Sequence, residues 1–185
     1  MKKILAKTVI KLFGWKTSII ESDDIKKCVM IAAPHTSNWD FVFTLATFWK
    51  HDIKFRFFIK DNYTKIFILG YFFKKVGAIG VDRSSNKNLV EFAADLLKEK
   101  KELVVLVPAE GTRSYVEKWK TGFYHIAKLA EVPIALGFLD YAKKEAGVGE
   151  LIHTTDSLED DFEKIQEFYK NIKGKHPKLY NPKIR

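Results

Sequence analysis

Residues 28–43 read CVMIAAPHTSNWDFVF. The first six are apolar or small and carry no charge, the pattern of a strand buried on both faces. They run into Pro34 and His35, three small polar residues, and an aspartate at position 40 that precedes another apolar stretch. On one helix five residues turn through about 500°, so His35 and Asp40 would not share a face. They meet only if His35 lies on a loop and Asp40 sits in the first turn of the next helix. Ser37 and Asn38 are both good N-caps, and an acid in the first turn suits the positive end of the helix dipole. The stretch therefore predicts a strand, a short turn and a helix start that bring an imidazole and a carboxylate together at the end of a sheet.

Outward from it, strands and helices alternate. Residues 2–16 predict an amphipathic helix, with Lys3, Lys7 and Lys11 on one stripe and Ile4, Leu5, Val9, Leu12 and Phe13 on the other side. Such a helix lies either in the headgroup region of a membrane or on the protein core. After the opening strand (28–33), a helix is expected over 40–50, a strand over 54–60, a very apolar helix interrupted by Gly70 over 63–76, and a short strand over 77–81. Leu89, Phe92, Ala93, Leu96 and Leu97 fall at helical spacing within 86–101, and ELVVLV (102–107) follows as a buried strand. A helix over 122–131, strands over 132–139 and 147–152, and a last helix from Asp156 or Ser157 complete the pattern. The last helix turns Leu158, Phe162, Ile165, Phe168 and Ile172 inward, and a basic tail follows it. This alternation predicts a single α/β domain over 1–185, with a mixed, largely parallel sheet flanked by helices. In such sheets ligand chemistry gathers at the carboxyl ends of strands. His35, the pair Asp82–Arg83 and the run Glu110–Arg113 each follow a strand, so three polar clusters are expected along one edge.

The 185 residues suffice for one domain with a sizeable core. A net charge of +9, dominated by lysine, suits an anionic partner such as a phospholipid surface. The aromatic residues follow core-like spacing without an exposed stacking series, so no nucleic-acid partner is expected. Cys28 is the only cysteine and lies in an apolar run, which reads as core. A chain without an internal disulfide points to a reducing, cytoplasmic compartment. No run approaches the roughly 20 apolar residues of a bilayer span, so contact with membrane would be peripheral.

In PAEGTRS (108–114), Gly111 lets backbone amides approach an anion, Thr112 adds a hydroxyl, and Arg113 a planar fork suited to phosphate. KWKTGF (118–123) adds two cations. Each cluster alone has a plain alternative: Arg113 as a surface ion-pair partner, Glu110–Arg113 as a simple turn, His35 and Asp40 as a structural hydrogen bond or two metal ligands. Ser37 reads as a cap rather than a nucleophile.

Taken in order, HTSNWD (35–40), GAIGVDR (77–83), EGTRS (110–114) and VPIALG (132–137) resemble the four sequence blocks of the glycerol-3-phosphate and lysophosphatidic acid acyltransferase superfamily. The blocks span more than half the chain; the N- and C-terminal regions lie outside them. Two departures stand out: Pro34 precedes the histidine where many members carry Asn, and Pro108–Ala109 replaces the family's Phe-Pro before Glu110. The resemblance implies that His35 is a general base and Asp40 its orienting partner. It further implies that Arg83, Glu110, Gly111, Thr112 and Arg113 bind the acceptor. Like charges keep Glu110 off the phosphate, so it would orient an arginine or the acceptor hydroxyl. Pro133 falls in the block associated with the acyl side, with a strand-edge proline as its plain alternative. The implied donor is acyl-CoA or acyl carrier protein and the acceptor a lysophospholipid or related hydroxyl, with no bound cofactor or metal. The alternative is a basic binding module, for membrane or nucleic acid, without chemistry.

Overall fold

The computed structural model describes residues 1–81 and 89–184. Asp82 and Arg83 thus lie outside the described residues. One seven-stranded sheet runs in the order β1-β7-β6-β2-β5-β3-β4, with β1 Lys16–Ile19, β2 Lys27–Ala33, β3 Phe55–Lys60, β4 Ala78–Val81, β5 Leu103–Val107, β6 Ile134–Asp140 and β7 Glu145–Ile152. All pairings are parallel except the β6–β7 hairpin. The expected α/β architecture with a mixed, largely parallel sheet is the architecture observed.

The central strand β2 is uncharged from Cys28 to Ala33 because helices cover both of its faces. Val29, Ile31 and Ala33 pack with residues of α5 (Leu89–Glu99), α6 (Gly122–Ala130) and α7 (Leu158–Tyr169). Cys28 and Met30 pack on the opposite face with Leu45 and Phe48 of α2 (Asn38–Lys50). Cys28 is fully buried, and burial pushes its thiol up to about 12, so it is an inert core residue. From β5 the chain crosses through α6 to β6, on the other side of β2. The strand order therefore diverges around β2, the position where an open parallel sheet leaves a crevice beyond its carboxyl ends.

Four features depart from the sequence expectation. The first helix, α1, stops at Leu12 rather than 16, because Gly14 turns the chain at φ +68° into the edge strand β1. Helix α1 docks on the body through Ala6 and Ile10, which pack with Phe43 and Ala46, while Ile4, Leu5 and Leu12 stay exposed. The apolar segment 63–76 breaks at Ile66, in extended backbone, into α3 (Asp61–Lys65) and α4 (Phe67–Lys75). Gly70 is not the interruption: it lies inside α4, where a Cβ would run into the Thr64 carbonyl. Finally, the basic tail is no loose end. Trp119 Nε1 donates to the Asn181 carbonyl at 2.6 Å, Ile184 is buried, and Gly174 presses against Pro34 and Thr36.

Candidate active site

The turn between β2 and α2 closes as a capping box. Ser37 is the N-cap and its hydroxyl accepts from the Trp39 amide, while Asp40 at N3 reaches back. Asp40 Oδ2 accepts from the Thr36 amide at 2.7 Å and the Ser37 amide at 2.8 Å. The same oxygen lies 3.4 Å from His35 Nδ1. Imidazole and carboxylate thus meet across the turn, with one ring nitrogen held and Nε2 on the opposite side of the ring.

Asp40 is buried, and three aromatic side chains stand behind it. Tyr141, just past β6, donates its hydroxyl to Asp40 Oδ1 at 2.6 Å. Trp15 stacks on Phe43 at 4.1 Å and meets Tyr141 edge-on at 4.9 Å. Burial acts to raise the Asp40 pKa. The hydrogen bonds from His35, Tyr141, Ser37 and Thr36 outweigh it, and the carboxyl ends below its ordinary range. Asp40 is therefore a fixed anion beside the imidazole. Burial and that anion together push the Tyr141 phenol upward, so Tyr141 remains a donor.

Glu110 stands at the carboxyl end of β5, 2% exposed, with Oε2 accepting from the His35 backbone amide at 2.7 Å. It holds the histidine's main chain, where the sequence had suggested an arginine or acceptor hydroxyl. Its Oε1 is buried with no hydrogen-bond partner among the described residues. Burial, with a smaller contribution from Asp40, pushes this carboxyl up to about 8 against the His35 hydrogen bond. Glu110 thus keeps its proton at neutral pH. An unfolded chain would release it near 4.5. Between these two values the native state binds the extra proton, so stability falls as pH rises through the window, by an amount of the order of a few kcal/mol. Glu110→Gln removes that titration. The expected result is a urea midpoint that drops from pH 5 to pH 8 in the parent and drops much less in the variant. Identical pH dependence in the two would refute the buried-acid assignment.

Gly111 turns the next residues outward at φ +71°, and its amide donates to the Pro108 carbonyl at 2.9 Å. Lys120 lies over this turn: its amide donates to the Ala109 carbonyl, and a Cβ on Gly111 would meet its Cε at 2.9 Å. Thr112 is exposed and accepts from the Ser114 amide. Arg113 is exposed and lines the same cavity as His35. That cavity, about 420 Å³, lies between α2 and the sheet. Asn38, Pro108 and Arg113 are its exposed lining, at the carboxyl edge; Met30, Thr47, Phe57 and Leu106 form part of its apolar interior.

Pro133 is not part of this cluster. It precedes β6 at the amino end of the strands, where its carbonyl accepts from the Val29 amide. Ile134 pairs with Val29 while Phe138 pairs with Ala33 beside the site, so Pro133 is set back from it by about 17 Å of strand. Its position just before β6, away from His35, fits its plain alternative as a proline at a strand end.

Two contributors escaped the sequence. Tyr141 is 101 residues from Asp40 and no local pattern links them. The tail braces the β2–α2 turn: the His176 amide donates to Thr36 Oγ1, and the Lys173 carbonyl accepts from the Tyr141 amide. A glycine in an otherwise basic tail, Gly174, was the only hint.

The acyltransferase family model matches residues 16–135. Among solved structures, the chain is similar to the 1-acyl-sn-glycerophosphate (LPA) acyltransferase PlsC from Thermotoga maritima. The TM-score is 0.61 at 15% identity, covering 91% of this chain and 75% of that one. No curated protein matches the chain. At this identity the structural likeness bears on the fold.

Proposed function

Because the chain belongs to the acyltransferase family, we propose that it moves a fatty acyl group from an acyl thioester, acyl-CoA or acyl carrier protein, to the hydroxyl of a lysophospholipid or related acceptor. One observation carries the proposal. The His35–Asp40 pair lines the open end of an apolar cavity large enough for an alkyl chain, with Arg113 beside it.

In this mechanism the acceptor hydroxyl approaches Nε2 of His35. The imidazole takes the proton as the oxygen attacks the thioester carbonyl. Asp40 holds the ring through Nδ1 and stabilises the imidazolium that forms, as the carboxylate does in a Ser-His-Asp arrangement. When the tetrahedral intermediate collapses, the C–S bond breaks, and the departing thiolate takes up the proton His35 removed. The substrate hydroxyl acts in place of a serine, so no acyl-enzyme forms. Arg113 is the cationic side of the pocket and suits the acceptor phosphate, with Lys120 over the neighbouring Gly111 turn. Glu110, protonated and bound to the His35 amide, fixes the loop that carries the base. Arg83 remains a proposed acceptor ligand outside the described residues.

The test is a panel of acyl-CoA and acyl carrier protein donors against lyso-acceptors, read by thiol release and product mass. Acceptor-dependent thiol release supports the proposal; none with any combination refutes it. The cavity gives a second, finer test. Thr44 lines it one helical turn after Asp40. Thr44→Phe is expected to shorten the preferred acyl chain, since each methylene denied burial costs about 0.8 kcal/mol, roughly fourfold in binding. An unchanged chain-length profile would place the acyl chain elsewhere.

A further inference from the structure

Helix α4 meets the rest of the protein mainly through Gly70, Phe73 and Val76. The remainder of its apolar surface faces outward. Phe67 is 93% exposed and Ile68 80%, and Ile66, Leu69, Tyr71 and Phe72 are exposed as well. An apolar helix left uncovered in this way calls for a partner.

Shape and charge select that partner. Consecutive residues 66–69 are all exposed, so the start of α4 projects as a tip rather than lining a groove. A protein partner would need a matching hollow; a bilayer accepts such a tip without one. Around it, among the described residues of 60–75, stand Lys60, Lys65, Lys74 and Lys75 against one acid, Asp61, which pairs with Lys65. Lys75 also lies over the Tyr71 ring at 4.8 Å. Projecting aromatic and aliphatic side chains bounded by lysines are the pattern of a segment that enters the headgroup region of an anionic membrane. Position agrees with this. Helix α4 sits at the β3–β4 edge of the sheet, and Phe73 on its inner side lines the cavity together with Phe57 and Phe58 of β3.

We infer that the α3–α4 tip, led by Phe67 and Ile68 and flanked by Lys74 and Lys75, is a membrane-docking element that brings the acyl cavity against an anionic bilayer. This deepens the lipid acyltransferase reading and rests on it for its purpose. Binding is measured without turnover, so the two fail separately.

The experiment is co-sedimentation of the full chain with vesicles of phosphatidylglycerol and phosphatidylcholine, compared with phosphatidylcholine alone. The parent is expected to bind the anionic vesicles and to release as salt rises. Phe67→Ser with Ile68→Ser is expected to weaken binding by about tenfold. Lys74→Ala with Lys75→Ala is expected to weaken it on anionic vesicles only. Equal binding by parent and variants, or no binding by the parent, overturns the inference. So does a parent dimer that the Phe67/Ile68 variant dissociates while vesicle binding stays unchanged, for then the tip contacts a second copy. A reporter removes dependence on the variants' folding. Cys28 is buried, so Phe67→Cys takes an environment-sensitive label selectively. A blue shift on adding anionic vesicles is expected; an unshifted spectrum in a bound sample overturns the assignment. Vesicle binding without acyl transfer to any acceptor would overturn the enzymatic reading and leave the docking element standing.

Discussion

Replacing His35 by alanine is expected to lower acyl transfer by about three to four orders of magnitude while the protein stays folded. The two outcomes separate because the imidazole belongs to the site and not to the core. Its side chain is 28% exposed, and the contact that fixes the loop is made by the His35 backbone amide to Glu110, which alanine retains. The capping box depends on Ser37 and Asp40, which are also untouched. Unfolding free energy should therefore move by no more than about 0.5 kcal/mol. Thiol release under saturating donor and acceptor gives the rate, and urea unfolding gives the stability. A variant that retains parental turnover would remove the general base from the mechanism.

Asp40→Asn is expected to cost about two to four orders of magnitude in turnover and, unlike the histidine change, stability as well. Asparagine is nearly isosteric and can still present one oxygen to the Thr36 and Ser37 amides, with its NH2 toward the Tyr141 hydroxyl. What is lost is charge. The imidazolium formed during transfer no longer has an anion 3.4 Å from Nδ1. Three charge-assisted hydrogen bonds become neutral ones, and the helix N-terminus loses its acid. About 1–3 kcal/mol of stability should go with them. The pKa of Asp40 is depressed, so its contribution is present above the ordinary carboxylate range and fades as pH falls through its native value. Parent and variant should therefore converge in stability at strongly acid pH. Tyr141→Phe separates orientation from charge: it removes one hydrogen bond and leaves the anion, so its rate loss should be well below that of Asp40→Asn. Equal losses would mean that ring placement, not charge, is what Asp40 provides.

The part of the fold that carries this chemistry was legible because its signals are local. An uncharged strand, a cap at Ser37 and an acid three residues into the helix specify the β2–α2 turn without reference to the rest of the chain. The meeting of His35 with Asp40 follows from that turn. The Glu110–Arg113 run was placed at the same edge because β5 is parallel to β2. What the sequence concealed is long-range. Tyr141 reaches Asp40 only because the β6–β7 hairpin folds back there, and an isolated tyrosine carries no pattern. The sequence has Glu110 orient an arginine or the acceptor hydroxyl; its hydrogen bond to the His35 amide joins residues 75 apart, which no local pattern announces. Pro133 follows a motif, and its register against Val29 sets it at the amino end of the strands, away from His35. The apolar run 63–76 reads as a helix interrupted at Gly70, since a glycine is the local signal of a break; the break at Ile66 carries no such mark, and Gly70 serves instead for close approach to Thr64.

The central claim is that the acyl chain lies in the cavity between α2 and the sheet with its reactive carbon beside His35. The most direct test is a crystal structure with a non-hydrolysable thioether analogue of acyl-CoA. The predicted density runs past Phe57 and Thr47, with the carbon next to sulfur about 4–5 Å from Nε2 of His35, leaving room for the acceptor oxygen between them. An alkyl chain bound on the surface of α1 or α4, with the cavity empty and the thioether remote from His35, would contradict it.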